Sequence, residues 1–306
     1  MTDRPSRATA AGAAYLDLRK LGRQSGRSTA ELIQLYTLEG FLLRLSRSPV
    51  HDQLVLKGGV LLAAFGARRP TKDLDFLALG VPGELHVIRD LIGSVARIPA
   101  DDGLEFDSRS SRVRALRTED VYPGVRVSLP VTLSSARLDL HVDVNVGDPL
   151  WPGPDDVLLP RLLDPAPLAV RGSPLHMVLA EKIVTAVQRS TANTRWRDFA
   201  DLLCLSRTRA VRGHDLQRAV SEVAAFRGVT LLPLSDALPG FAEIAQTRWV
   251  AWRRRQALED QLPANFAAVL RAAAEFADPA LTERVEGLRW EPSSTKWNPD
   301  VPTGEP

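Results

Sequence analysis

Two apolar strands that flank a pair of glycines limit the folds open to this chain. Residues 54–56 are continuously apolar and lead into Lys57-Gly58-Gly59. Residues 60–65 have the composition of a short helix, and residues 73–77 alternate between polar and apolar side chains as a second strand does. Two glycines between a strand and a helix let the backbone approach a phosphate group, with the helix N-terminus towards the anion. The segment therefore predicts a mixed α/β fold with a phosphate-binding loop.

Asp73 and Asp75 lie two positions apart on the second strand, so both side chains point to one face. Leu74 and Phe76 then point to the core. Two carboxylates on one face are costly unless a positive charge compensates them. A hard divalent cation supplies that charge and also binds nucleotide phosphates. An isolated Asp-x-Asp pair is more often a solvated edge strand, so the metal hypothesis depends on further acidic residues.

Residues 138–146 alternate strictly between apolar and polar side chains. The polar residues that share one face are Asp139, His141, Asp143 and Asn145. An antiparallel strand beside Asp73 and Asp75 would add a third carboxylate, for which Asp143 is the central candidate. Asp139 and His141 remain alternatives for the third position, and a strand with one solvated face explains the same alternation.

A lysine lies on the apolar stripe of a helix predicted over residues 175–188. Lys182 at this position requires an anionic partner, either a buried carboxylate or a substrate phosphate. The next predicted helix, residues 197–205, places Asp198 and Asp201 three positions apart on one side. A short turn between the two helices would make them antiparallel and allow an ion pair between Lys182 and Asp201. A lysine at a helix edge with surface aspartates is the alternative.

The composition is that of a globular protein and excludes several classes. Basic and acidic residues number 39 and 37, and 44% of residues are hydrophobic, which argues against disorder and against a general nucleic-acid coat. No apolar run reaches the length of a membrane span. The single cysteine, Cys204, excludes an internal disulfide framework and a multi-cysteine zinc site. We therefore expect a soluble, cytoplasmic protein without a membrane partner.

Prolines and glycines at residues 149–154 form the densest group of helix and strand breakers. They predict a boundary between a first domain, residues 1–150, and a second domain, residues 151–306. The first domain mixes helices with strands, including residues 125–133 and 137–146, whereas the second is nearly all helical. The proline-rich tail after Trp290 is expected to lie on the surface.

Four elements in this order resemble the nucleotidyltransferase toxins of the AbiEii/AbiGii and MenT group. They are Lys57-Gly58-Gly59 with Arg69-Pro70-Thr71-Lys72-Asp73-Leu74-Asp75, the strand around Asp143, Ala180-Glu181-Lys182 with Arg189, and Arg197-Asp198-Phe199-Ala200-Asp201-Leu202. The resemblance covers about residues 50–206 and extends more loosely to the C-terminal helices. The wider superfamily often has Gly-Ser in the phosphate loop, whereas Gly59 occupies the second position here, where a backbone amide can still contact phosphate.

The resemblance implies an α/β (α+β) fold and a set of site residues. A nucleotidyltransferase lobe related to DNA polymerase β, with a mixed sheet, would precede a helical lobe that completes the active-site cleft. Asp73 and Asp75 would hold magnesium with Asp143 as the third candidate, Lys182 would contact the nucleotide, and Asp201 would be required for catalysis. The further nucleotide-binding candidates are Lys57, Gly58, Gly59, Arg69, Thr71, Lys72, Arg189, Arg197 and Asp198.

The implied function is magnesium-dependent transfer of NMP from an NTP to an RNA, with the 3′ end of tRNA as the expected acceptor. Such transfer would inhibit translation, and a cognate antitoxin would be the protein partner. One alternative is an enzyme of the same fold that modifies a protein or a small molecule. Another is a nucleotide- or RNA-binding module without turnover. The sequence does not distinguish among NTPs or among tRNAs.

Overall fold

The computed structural model describes residues 5–67, 71–116 and 124–300. The chain divides into two compact units. Unit 1 consists of Met1–Ala64, Arg68–Asp148 and Pro154–Ser173, and unit 2 of Phe65–Ala67, Pro149–Gly153 and Pro174–Pro306. This division differs from the predicted boundary at residue 150, because the strands after the breakers join the sheet of unit 1. No helix among the described residues is long and apolar enough to cross a membrane.

Unit 1 combines four helices with an eight-stranded sheet among its described residues. The helices are α1 (Ala10–Ser25), α2 (Thr29–Ser46), α3 (Gly58–Leu61) and α4 (Leu85–Ala96). The strands are β1 (Leu54–Lys57), β2 (Asp73–Ala78), β3 (Leu104–Phe106), β4 (Arg112–Leu116), β5 (Gly124–Leu133), β6 (Ala136–Val146), β7 (Asp155–Leu159) and β8 (Leu168–Gly172). The predicted strands that begin near residues 54, 73, 125 and 137 are confirmed.

The strand order in this sheet is β3-β5-β6-β2-β1-β8-β7, and β4 also pairs with β5. β2 pairs with β6 in parallel, and β1 pairs with β8 in parallel, whereas the other pairs are antiparallel. β1 lies between β2 and β8, which explains why all four of its side chains are buried. The sheet is therefore mixed, as expected from the sequence.

Helix α2 supplies much of the core of unit 1. The side chain of Ser28 accepts a hydrogen bond from the backbone N–H of Glu31 and caps the N-terminus. The fully or almost fully buried apolar side chains of α2 include Leu32, Leu35, Leu38, Phe41, Leu42 and Leu45. Arg44 on this helix forms a buried two-point ion pair with Asp102, with N–O distances of 2.6 and 3.0 Å. Arg44 also donates to the carbonyl of Leu104, so this pair joins α2 to the start of β3.

Unit 2 is mostly helical. Its helices are α5 (Leu175–Arg189), α6 (Trp196–Thr208), α7 (Gly213–Arg227), α8 (Leu234–Ala237), α9 (Phe241–Arg255) and α10 (Phe266–Leu281). The aromatic rings of Trp196, Phe199, Phe241 and Phe266 contact one another and form the core between α6, α9 and α10. The helices predicted at residues 175–188 and 197–205 are confirmed by α5 and α6.

The tail after Trp290 was expected on the surface, and residues 291–300 are exposed or half-buried, but this tail also forms regular structure. Strands β9 (Val211–Arg212), β10 (Leu288–Glu291) and β11 (Lys296–Pro299) form a three-stranded antiparallel sheet. Trp297 stacks on Phe276 and donates a hydrogen bond from Nε1 to the Phe276 carbonyl. Trp290 is buried and contacts both rings. These aromatic contacts fix the tail to α10.

Candidate active site

The carboxylates of β2 share one face, as the alternation predicted. Asp73 and Asp75 are half-buried, whereas Leu74 and Phe76 between and after them are fully buried in the core. The strand is therefore held in place by its apolar side chains, and both carboxylates remain within reach of solvent. This face is the centre of the candidate site in unit 1.

The backbone of Gly58 lies directly against the carboxylate of Asp75. Gly58 has φ +64°, and a Cβ atom built on it would lie 1.9 Å from Asp75 Oδ2. Any larger residue would therefore suffer both backbone strain and a collision with this carboxylate. The first glycine of the predicted phosphate loop is thus required by the position of Asp75.

Asp143 on β6 lies in register with Asp75 on β2. The prediction that these strands are neighbours is confirmed, but the predicted antiparallel direction was wrong, because β6 runs parallel to β2. β6 is the second strand of a hairpin with β5, and this hairpin pairs with β2 through β6. Alternation determined which side chains share a face, whereas strand direction depends on how the hairpin docks.

A guanidinium that the sequence analysis missed connects the acidic residues. Arg126 on β5 donates from Nε and Nη2 to the two carboxylate oxygens of Asp143, each at 2.6 Å. Its Nη2 also donates to Asp73 Oδ2 at 3.2 Å. The hydrogen bonds with Asp143 raise the pKa of Arg126 above its ordinary value. The predicted strands 125–133 and 137–146 are separated by only three residues, and the hairpin that β5 and β6 form places Arg126 opposite Asp143. This short connection is the signal that could have identified Arg126.

The alternatives to Asp143 have other partners. Asp139 forms an ion pair of 2.9 Å with Arg112, in which both side chains are largely exposed. His141 lies in register with Asp73, and its Nδ1 lies 2.9 Å from the hydroxyl of Ser128. Asp143 is therefore the residue that shares a guanidinium with Asp73.

Within residues 5–67, 71–116 and 124–300, no group of three or more His, Cys, Asp or Glu side chains is arranged to hold a metal ion. Both carboxylate oxygens of Asp143 face Arg126, and the metal role of Asp73, Asp75 and Asp143 stays a prediction. Asp73 and Asp75 are the two carboxylates that β2 contributes to this face.

The predicted phosphate loop carries a buried lysine. The Nζ atom of Lys57 lies 2.8 Å from Asp148 Oδ2, and Lys57 lies in register with Asp75. Asp148 was not expected from the sequence. Among the other loop candidates, Gly59 is buried, Thr71 is half-buried and Lys72 is exposed. Arg69 lies outside the described residues.

Unit 2 holds a second, buried charged group. Lys182 Nζ on α5 lies 2.7 Å from Asp201 Oδ2 and 3.4 Å from Asp198 Oδ1, both on α6. Arg195 Nε donates to the second carboxylate oxygen of Asp198 at 2.5 Å. The ion pair predicted between Lys182 and Asp201 is confirmed.

These charges are almost removed from solvent, and they affect one another strongly. The exposed fractions of the side chains are 11% for Lys182, 4% for Asp198 and 5% for Asp201. Burial acts to raise the pKa of Asp198, but the charges of Lys182 and Arg195 outweigh it, so this pKa lies below its ordinary value. The carboxylates of Asp198 and Asp201 therefore compensate the positive charge of Lys182, which lies on the apolar face of α5.

The two further basic candidates of unit 2 differ in exposure. Arg189 is half-buried in the last turn of α5, and Arg197 is exposed in the first turn of α6. The charge of Arg197 contributes to the low pKa of Asp198. Arg197 therefore lies near the buried group of Lys182, Asp198 and Asp201.

Comparison with known proteins identifies the family. The model of the AbiEii family, described as the nucleotidyl transferase AbiEii toxin of a type IV toxin–antitoxin system, matches residues 40–277. The chain belongs to this family, which confirms the resemblance seen in the sequence. The protein is therefore a nucleotidyltransferase, and its family implies an NTP substrate and a cognate antitoxin.

Two solved structures are among those similar to this chain. A candidate nucleotidyltransferase from H. pylori has a TM-score of 0.49 and 14% identity, covering 84% of this chain and 98% of its own. JHP933 from Helicobacter pylori has a TM-score of 0.48 and 14% identity, covering 84% of this chain and 95% of its own. No curated protein sequence matches this chain.

Proposed function

We propose that this nucleotidyltransferase transfers an NMP from an NTP to the 3′ end of an RNA, with tRNA as the acceptor, and that this modification inhibits translation. The observation that supports the proposal best is the acidic face of β2, where Asp75 lies against the bare backbone of Gly58. A carboxylate beside a glycine loop suits a site that binds a cation and a triphosphate together.

The donor set of β2 fits a hard divalent cation. Asp73 and Asp75 offer carboxylate oxygens from half-buried positions on one face, and Gly58 has no side chain to shield Asp75. We assign magnesium to these two residues, with Asp143 as the third acidic residue of the site. When bound, magnesium would neutralise charge on the α-phosphate and on the leaving pyrophosphate.

The residues of the chain would bind and orient the reactants. The backbone N–H groups of Gly58 and Gly59 donate to the triphosphate, and Lys182 supplies positive charge to it. The acceptor hydroxyl oxygen bonds to the α-phosphorus, the bond to the β-phosphate oxygen breaks, and pyrophosphate leaves with that electron pair. A carboxylate, Asp143 or Asp201, orients this hydroxyl and accepts its proton.

The remaining candidates would contact phosphates. Thr71 and Arg69 belong to the segment before β2, and Lys57, already paired with Asp148, would add charge beneath the phosphate loop. The exposed side chains of Lys72 and Arg197, together with Arg189, suit the backbone of an RNA end. Asp198 would hold Lys182 with Asp201.

Labelling with NTP tests the proposal directly. The purified protein is incubated with each of the four α-³²P-labelled NTPs, total tRNA and magnesium, and the products are treated with RNase or with protease. We expect label in RNA that RNase removes and protease leaves. Label that only protease removes, or label in a small molecule, would support the alternative acceptors.

Matched variants show whether the acidic face of β2 is responsible. Asp73→Asn and Asp75→Asn should lose transfer, whereas Asp139→Asn should retain it, because Asp139 pairs with exposed Arg112. Transfer that persists in both β2 variants would contradict the assignment. If Asp139→Asn alone loses transfer, the third acidic residue of the site would be assigned as Asp139 instead of Asp143.

A further inference from the structure

Arg126 on β5 extends across β6 to reach Asp73 on β2. It lies directly opposite Asp143 in the β5–β6 hairpin, and Asp143 lies in register with Asp75 on β2. Its guanidinium forms two hydrogen bonds with Asp143 and a third, longer one with Asp73. A cross-strand pair within the hairpin would need only Asp143. The third contact brings positive charge to the face to which we assign the cation.

The burial of these side chains separates the strong contact from the weak one. The exposed fractions are 22% for Arg126, 15% for Asp143 and 35% for Asp73. The bidentate contact with Asp143 has short distances and the more buried carboxylate, which favours a persistent pair. The contact with Asp73 is a single hydrogen bond of 3.2 Å to the more exposed carboxylate, so another cation can replace it at little cost.

We propose that Arg126 is a positioning residue that competes with the divalent cation for the acidic face of β2. In the cation-free protein it holds Asp143 by two hydrogen bonds and neutralises Asp73. When a cation binds Asp73 and Asp75, the hydrogen bond to Asp73 is lost. The guanidinium thereby stabilises the cation-free fold and weakens cation binding. This inference rests on the proposed function, because it uses the cation site assigned there.

Measurement of Mn²⁺ binding without NTP tests the competition, by calorimetry or by the electron paramagnetic resonance signal of free Mn²⁺. Arg126→Gln removes the positive charge and should bind Mn²⁺ roughly tenfold more tightly than the wild-type protein. Arg126→Lys keeps the charge and should remain close to wild type. Arg112→Gln is the control, because it removes an exposed arginine that pairs with Asp139.

Thermal melting in EDTA and in Mn²⁺ gives a second readout. Arg126→Gln should melt at a lower temperature than wild type in EDTA, because the carboxylates then repel one another, and Mn²⁺ should restore much of the difference. If Arg126→Gln does not fold without the metal, it can be refolded in Mn²⁺ before its affinity is compared with that of wild type. The Arg126→Lys variant provides a second comparison with wild type.

The outcomes separate this inference from the proposed function. A folded Arg126→Gln variant whose Mn²⁺ affinity equals or falls below that of wild type would overturn the inference, even where wild-type binding depends on Asp73. Wild-type protein that binds no Mn²⁺, or binds it equally well after Asp73→Asn, would remove the assigned cation site and this inference with it.

Discussion

The acidic face of β2 in unit 1 and the Lys182 group of unit 2 are held in different ways. The acidic face of unit 1 depends on strand register, and its side chains keep between 15% and 35% of their surface exposed at Asp143, Arg126 and Asp73. The Lys182 group of unit 2 lies between two packed helices, with at most 11% exposed for Lys182, Asp198 and Asp201. Charges near solvent can change partner, whereas buried charges must stay paired. We therefore expect substitutions in unit 1 to affect activity and those in unit 2 to affect stability as well.

The largest expected effect is the loss of transfer when a β2 carboxylate is neutralised. Asp75→Asn should lower the transfer rate on the order of a thousandfold, because the charge that binds the cation is lost. Its melting temperature should be equal to or above that of wild type, because repulsion from Asp73 is relieved. Transfer assays and thermal melting check both parts, and a folded variant with full activity would contradict the role of this face.

Disruption of the buried pair in unit 2 should lower both activity and stability. Lys182→Ala or Asp201→Ala removes one member of a buried ion pair of 2.7 Å and should each cost about 3 kcal/mol of unfolding free energy. Both variants should lose transfer to a similar degree. The double variant should be little worse than either single one, since it removes the same interaction. Additive losses in stability and activity would show that the two residues act separately.

A comparison of two glycines isolates the contact between Gly58 and Asp75. Gly58 and Gly80 have φ +64° and +65°, but a Cβ on Gly80 would have no neighbour within 4 Å. Gly58→Ala should therefore lower the unfolding free energy by roughly 1–3 kcal/mol more than Gly80→Ala, because it forces Asp75 to move. Denaturant unfolding of both variants measures the difference. Equal losses would mean that only backbone conformation matters at Gly58.

The smallest expected effect is the pH dependence of Asp198. Its folded pKa lies below the ordinary value of 3.8, so its stabilising contribution is complete above that pH and is lost as the pH falls through the folded pKa. Asp198→Asn should thus be less stable than wild type at neutral pH, and the difference should shrink below pH 3.8. Urea unfolding at a series of pH values measures it, and a difference that stays constant would contradict the paired state of this carboxylate.

The sequence predicted local features well, because side-chain alternation and helical spacing are local. It predicted the face shared by Asp73 and Asp75, the strands over residues 125–133 and 137–146, and the pair of Lys182 with Asp201. In each case the residues lie on one element or on two elements joined by a short turn. The physical signal was contained within about twenty residues of chain.

The features that the sequence missed depend on contacts between distant segments. The parallel direction of β6, the return of β7 and β8 to the first sheet, and the ion pair of Lys57 with Asp148 each require knowledge of which strands are neighbours. The tail was expected on the surface, and the strands that it contributes were not predicted. Its order comes from the packing of Trp290 and Trp297 on Phe276.

Mass spectrometry of the tRNA 3′ terminus tests the central claim most directly. Total tRNA is incubated with the wild-type protein, the four NTPs and magnesium, and the terminal fragments are then compared with those from Asp75→Asn and from an untreated sample. We predict a terminal fragment heavier by one or more NMP residues with wild type only. Unchanged 3′ termini with wild-type protein, or the same addition with Asp75→Asn, would contradict the claim that the acidic face of β2 catalyses transfer to the RNA end.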